Sequence, residues 1–94
     1  MVKGQDFQKV LKYIEDNAEK TVENLQELCR QPSISTTNVG ILDMANLLHA
    51  RIQKTGLSPT INETDGNPIV TANLEGTSEK TLLFYNHYDV QPAD

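Results

Sequence analysis

One cysteine, no apolar run of membrane-spanning length and few basic residues are the first features of this sequence, and each scarcity removes a class of protein. Cys29 is the sole cysteine, which excludes an internal disulfide and a zinc cage built from thiolates, and makes a reducing, cytoplasmic setting the default. No stretch reaches the roughly 18 apolar residues of a membrane helix, and the first residues lack the apolar core of a secretion signal. Eight Lys and Arg against thirteen Asp and Glu give a formal charge of -5. The basic residues are scattered, so the concentrated positive surface that phosphate recognition needs is missing, and neither nucleic acid nor membrane is an expected partner.

What remains is an ordinary globular composition: 37% apolar and 22% charged residues, without tryptophan. A chain of 94 residues suits one small domain, with a core of marginal stability by itself.

Between residues 5 and 30, Phe7, Val10, Leu11, Ile14, Ala18, Val22, Leu25, Leu28 and Cys29 recur at the three-and-four spacing of one helical face. Lys12, Glu15, Asp16, Glu19, Lys20 and Glu27 occupy the other side. This predicts one long amphipathic helix of about seven turns, with Cys29 buried in its apolar stripe. Pro32 disfavours a helical Gln31 and should end it. Residues 31–40, "QPSISTTNVG", are rich in turn-forming side chains and read as a loop leading to a helix cap, with Ser33 and Ser35 serving turns. A second helix is expected over residues 39–55, with Ile41, Met44, Ala45, Leu48 and Ile52 on one face and Gly56 as the left-handed stop. His49 lies one position past the apolar face and reads as a flank residue.

Beyond Gly56 the period becomes that of strands. "LSPTINET" alternates, Asp65-Gly66 marks a turn rather than a metal loop, and "PIVTANLEG" follows, which predicts a β-hairpin with Pro59 keeping its first strand at an edge. "TLLFYN", residues 81–86, has no alternation and reads as a third strand covered on both faces. The fold class is therefore α/β: two N-terminal helices, a β-hairpin and a third strand. Leu82, Leu83, Phe84 and Tyr85 need more chain to cover them, which suggests a piece of a larger domain.

His87 falls at the carboxyl end of that third strand, where open α/β sheets gather their ligands. Asp89, two positions on, shares its side of an extended chain. On these residues alone two readings stand. In one, His87 binds a divalent metal while the Asp89 carboxylate holds its other ring nitrogen; in the other, His87 merely hydrogen-bonds a loop and Asp89 forms a turn. Zinc takes three or four protein ligands, so one His is not a complete site.

"NHYDVQPAD", residues 86–94, resembles the first signature of the carnosinase, aminoacylase and carboxypeptidase G family of dinuclear zinc hydrolases, in which a strand ends in His-x-Asp-Val-x-Pro. "LCRQPSIS", the helices and the hairpin before the motif are similar in order and spacing, and the Gln91-Pro92 ending is nearer the dipeptidase-like branch. Asn86 departs from the Gly often found before the His. The resemblance implies that residues 1–94 are the truncated N-terminal part of a metallopeptidase catalytic domain with a mixed sheet, inactive alone. It makes His87 a ligand to one of two zinc ions and Asp89 the catalytic-site carboxylate that orients its imidazole. The bridging Asp, the Glu general base and the other ligands would lie downstream. It implies a peptide or N-acyl amino acid substrate and leaves a homodimer open. The competing expectation is a small non-enzymatic binding or structural domain in which His87 and Asp89 are incidental.

Overall fold

The computed structural model describes residues 4–93. The chain divides into two compact units, residues 1–30 and residues 31–94. The first holds α1 (Gly4–Asp16) and α2 (Ala18–Arg30). The expected single helix is thus interrupted once, at Asn17. Backbone bonds of helical type still cross the break, from the Asn17 N-H to the Tyr13 carbonyl and from the Thr21 N-H to the Asn17 carbonyl. At the same place the Asn17 amide donates to the Tyr13 carbonyl at 2.8 Å and the Thr21 hydroxyl to the Asn17 carbonyl at 2.9 Å. Side chains that compete for helical carbonyls loosen the ladder there, an effect the apolar periodicity does not register. The helix ends at Arg30, as Pro32 requires.

Neither α1 nor α2 contains a buried residue. Cys29, expected in a packed stripe, is a free and exposed thiol, because its unit contains no further element to lie over that face.

In the second unit α3 runs over Ile41–Lys54. Ile41, Met44 and Ala45 are its buried residues and form the apolar core of the unit. The helix start is set by backbone geometry rather than by a Ser, Thr or Asn cap: Gly40 stands at the N-cap with φ +76° and no side-chain bond, while its carbonyl accepts the Met44 N-H at 2.8 Å. Thr55 closes the helix and Gly56 follows at φ +94°, the left-handed stop expected of it.

The hairpin is present as β1 (Thr60–Asn62) and β2 (Ile69–Thr71), antiparallel, with Thr60 opposite Thr71, Ile61 opposite Val70 and Asn62 opposite Ile69. Pro59 immediately precedes β1, outside the ladder, where its missing donor does no harm. The Asp65-Gly66 turn is organised by Thr64, whose hydroxyl accepts the Gly66 N-H at 3.0 Å and donates to the Asn67 carbonyl at 2.8 Å. The Asn62 amide ties the strands together, reaching the Ile69 carbonyl and the Thr71 hydroxyl, each at 2.9 Å. Both strands pack against α3, so the architecture is α/β.

Residues 81–86 form no strand. No described segment offers them a ladder, and without one the β-forming side chains Leu82, Leu83, Phe84 and Tyr85 stay exposed. Val90, beyond the His-x-Asp pair, does find a backbone partner. It makes a parallel bridge with Ile34, and its N-H donates to the Ser33 carbonyl at 2.8 Å.

Candidate functional site

The segment carrying His87 is held from two sides. Val90 fastens its far end to residues 33–34. Between His87 and Asp89, Tyr88 donates its hydroxyl to the carbonyl of Pro68, the residue before β2, at 2.6 Å. Burial, and after it the negative charge of Asp89, raise the Tyr88 hydroxyl above its ordinary pKa, so it is a proton donor throughout the neutral range. Tyr88→Phe should cost about 1 kcal/mol, the usual net worth of a partly buried hydrogen bond, measured as a lower denaturant midpoint. An unchanged midpoint would show that this tether does not hold the segment.

With its neighbours fixed, His87 folds back on its own segment. Its Nδ1 lies 3.0 Å from the Asp89 carbonyl oxygen and 3.1 Å from Asp89 Oδ1. Both are acceptors, so the neutral ring must carry its hydrogen on Nδ1, and the lone pair is left on Nε2. The ring is 75% exposed and the Asp89 side chain 44%, so Nε2 is open to a ligand.

The Asp89 carboxyl is held below its ordinary pKa, first by the Ser35 side chain; desolvation opposes this, and the bond from His87, the backbone and the charge of His87 add to the lowering. A depressed folded value means the arrangement adds stability above the unfolded carboxylate range and loses it as pH falls through the lowered value. At neutral pH Asp89 is an anion facing the Nδ1-H.

A cleft of about 340 Å³, lined by Pro68, Ile69, Tyr85, His87 and Asp89 among others, opens between this segment and the hairpin. A larger hollow, about 730 Å³, lies between the start of α3 and the hairpin loop, with Asp43, Glu63 and Asp65 in its lining. It contains no histidine, and among the described residues no group of three or more His, Cys, Asp or Glu is arranged to hold a metal ion. His87 is therefore a single donor with a properly oriented ring, suited to one position of a metal's coordination and short of a whole site. His49 is half-buried on α3, far from this chemistry in sequence, and belongs to no such group.

The structure brings together His87 and Asp89, which the sequence singles out, and adds Ser35 and Tyr88, which it does not. Nothing in the sequence places Ser35 near Asp89, since the Ile34–Val90 bridge is what brings their segments together.

No protein-family profile matches the chain. It is 32% identical over 97 aligned positions to the Cys-Gly metallodipeptidase DUG1 of Candida albicans, an alignment that covers 85% of this chain and 20% of that protein. Its fold is similar to that of an M20 family metallo-carboxypeptidase, Sso-CP2 from Sulfolobus solfataricus, with a TM-score of 0.75 and 43% identity over 78% of this chain and 17% of the other. The chain spans about a fifth of the length of either relative. Likeness in sequence to one metallopeptidase and in both sequence and structure to another bears out the resemblance that the His-x-Asp motif carries. The chain is thus similar, in sequence and in fold, to a part of M20 family metallopeptidases.

Proposed function

We propose that residues 1–94 form the N-terminal part of the catalytic domain of a cytoplasmic, zinc-dependent dipeptidase or related amidohydrolase. His87 serves as a metal ligand through Nε2, and Asp89 is the carboxylate that fixes the ring. The observation carrying this reading is the pairing of His87 Nδ1 with both Asp89 oxygens, which leaves Nε2 as the exposed donor. The activities of the two relatives, a Cys-Gly dipeptidase and a carboxypeptidase, favour short peptides as substrates.

Zinc bound here, two ions by family resemblance, would supply an activated water and polarise the scissile carbonyl. The contribution of this chain is narrower. The Asp89 anion sets the His87 tautomer, stops the ring from turning and increases the basicity of Nε2. Tyr88 and Val90 keep the segment from moving away from that geometry. Among the described residues no further group of His, Cys, Asp or Glu is arranged to complete such a site, so the 94-residue chain alone is expected to be inactive.

The test uses the full-length protein, assayed on dipeptides such as Cys-Gly and on N-acyl amino acids, before and after chelation and after zinc is restored. Hydrolysis that disappears with the metal and returns with zinc is the expected result. Hydrolysis indifferent to the chelator, or none on either substrate class, contradicts the reading.

A further inference from the structure

A segment outside any ladder has backbone freedom to lose before it can present a ligand in one direction. Residues 81–86, which lead into His87, make no strand, and Leu82, Leu83, Phe84 and Tyr85 are all exposed. His87 and Asp89 bond to each other, Nδ1 lying 3.0 Å from the Asp89 carbonyl oxygen and 3.1 Å from Oδ1. That contact fixes the ring against its own segment; a different contact has to fix the segment against the rest of its unit. Val90 supplies one anchor, from beyond Asp89. The residue between the pair supplies another.

Tyr88 is half-buried, and its hydroxyl donates at 2.6 Å to the Pro68 carbonyl, twenty residues earlier in the chain. The acceptor is itself well held. Pro68 is buried, and its ring fixes its own φ. On one side of it the Asn67 carbonyl accepts the Thr64 hydroxyl at 2.8 Å; on the other, Ile69 stands opposite Asn62 in the ladder and its carbonyl accepts the Asn62 amide at 2.9 Å. Both strands pack against α3, whose Ile41, Met44 and Ala45 form the apolar core of the unit. Tyr88 therefore joins the motif to a hairpin seated on that core. A phenol is rigid and has only two side-chain torsions, so a bond at its far end restrains the backbone at its near end.

We propose that Tyr88 is a positioning residue: its hydroxyl bond to the Pro68 carbonyl fixes the backbone between His87 and Asp89 to the hairpin, and so sets the direction in which His87 Nε2 faces. This rests on the reading of His87 as a metal ligand. Tyr88 acts through the backbone that it shares with its two neighbours and donates nothing to the metal itself. Its partner is a main-chain carbonyl, which no side-chain replacement removes, so the hydroxyl is the group to vary.

The experiment compares Tyr88→Phe, Tyr88→4-aminophenylalanine and Gly56→Ala in the full-length protein. The amino group of 4-aminophenylalanine still donates from the same place. Gly56→Ala strains the backbone at the end of α3, where φ is +94° and a Cβ meets nothing within 4 Å, and leaves the tether intact, so it is the control for stability. Three quantities are read: the nitrogen chemical shifts of the His87 ring in the metal-free protein at neutral pH, zinc affinity by chelator competition, and the denaturant midpoint. Tyr88→Phe should lower zinc affinity about tenfold, the lower end of what losing a ligand's supporting partner costs, and move the ring from a single Nδ1-H form toward a mixture. The amino variant should return both toward wild type. Gly56→Ala should unfold at a lower denaturant concentration and keep wild-type affinity and ring shifts. Wild-type affinity and shifts in Tyr88→Phe would overturn the proposal, as would an amino variant that behaves like Phe. A Gly56→Ala variant that loses as much affinity would also overturn it, because stability would then be what matters. His87→Ala separates the two readings. If it leaves zinc affinity unchanged, His87 is not a ligand and that reading fails, while the ring shifts of metal-free Tyr88→Phe still decide whether the hydroxyl holds the pair.

Discussion

His87→Ala is expected to reduce turnover of the full-length enzyme to background and to remove or loosen one metal ion, whereas Asp89→Asn should keep most of the metal and slow the reaction about 10- to 100-fold. The contrast follows from what each group holds. Removing the imidazole removes the exposed Nε2 donor, and no neighbouring His, Cys, Asp or Glu cluster among the described residues can replace it. Asparagine retains the size of Asp89 and can still offer a carbonyl oxygen to Nδ1, so the ring keeps its tautomer. The anion is lost, and with it the increase in Nε2 basicity. Metal content measured beside hydrolysis of a dipeptide decides the matter. Asp89→Asn with wild-type turnover and full metal would assign the Asp to the turn and not to the chemistry.

Gly40→Ala should be the most damaging small substitution to the fold, costing on the order of 3 kcal/mol. Two effects combine at this position. Gly40 has φ +76°, which an L side chain occupies only with strain. A Cβ built there would also lie well inside contact distance of the Pro32 backbone carbonyl, an atom that cannot rotate away. Gly56 is the control: its φ is +94°, yet a Cβ there meets nothing within 4 Å. Gly56→Ala should therefore show backbone strain alone, about 1 kcal/mol. Denaturant midpoints of the two variants against wild type provide the comparison, and equal losses would mean that the approach to Pro32 is not what requires glycine. The consequence reaches the site. Pro32 leads into Ser33, whose carbonyl holds Val90, so a Gly40 variant that remains folded should also lose zinc affinity through the displaced loop.

Local patterns in the sequence carried much of this molecule. The three-and-four spacing of apolar residues specified helices before Pro32 and before Gly56, since side chains three and four apart share a face whatever surrounds them. The alternation around Asp65-Gly66 specified the hairpin, although the first strand, expected to include Pro59 at an edge, begins only after it, at Thr60. His87 and Asp89 are two residues apart, and their contact needs nothing beyond the chain that joins them. What only the tertiary structure decided involves partners distant in sequence or absent. Residues 81–86 have the composition of a strand but no ladder among the described residues, and a strand is a property of a pair. Cys29 follows the apolar stripe yet is exposed, because a stripe is buried only where another element covers it. The break at Asn17 arose from side-chain amide and hydroxyl bonds to helical carbonyls, which apolar periodicity does not encode. The loop at residues 33–35 shows the limit most clearly: as a stretch of sequence it is a turn, and it lies against Val90 only because Ser33, Ile34 and Val90, far apart along the chain, are joined by backbone hydrogen bonding that any residues could make.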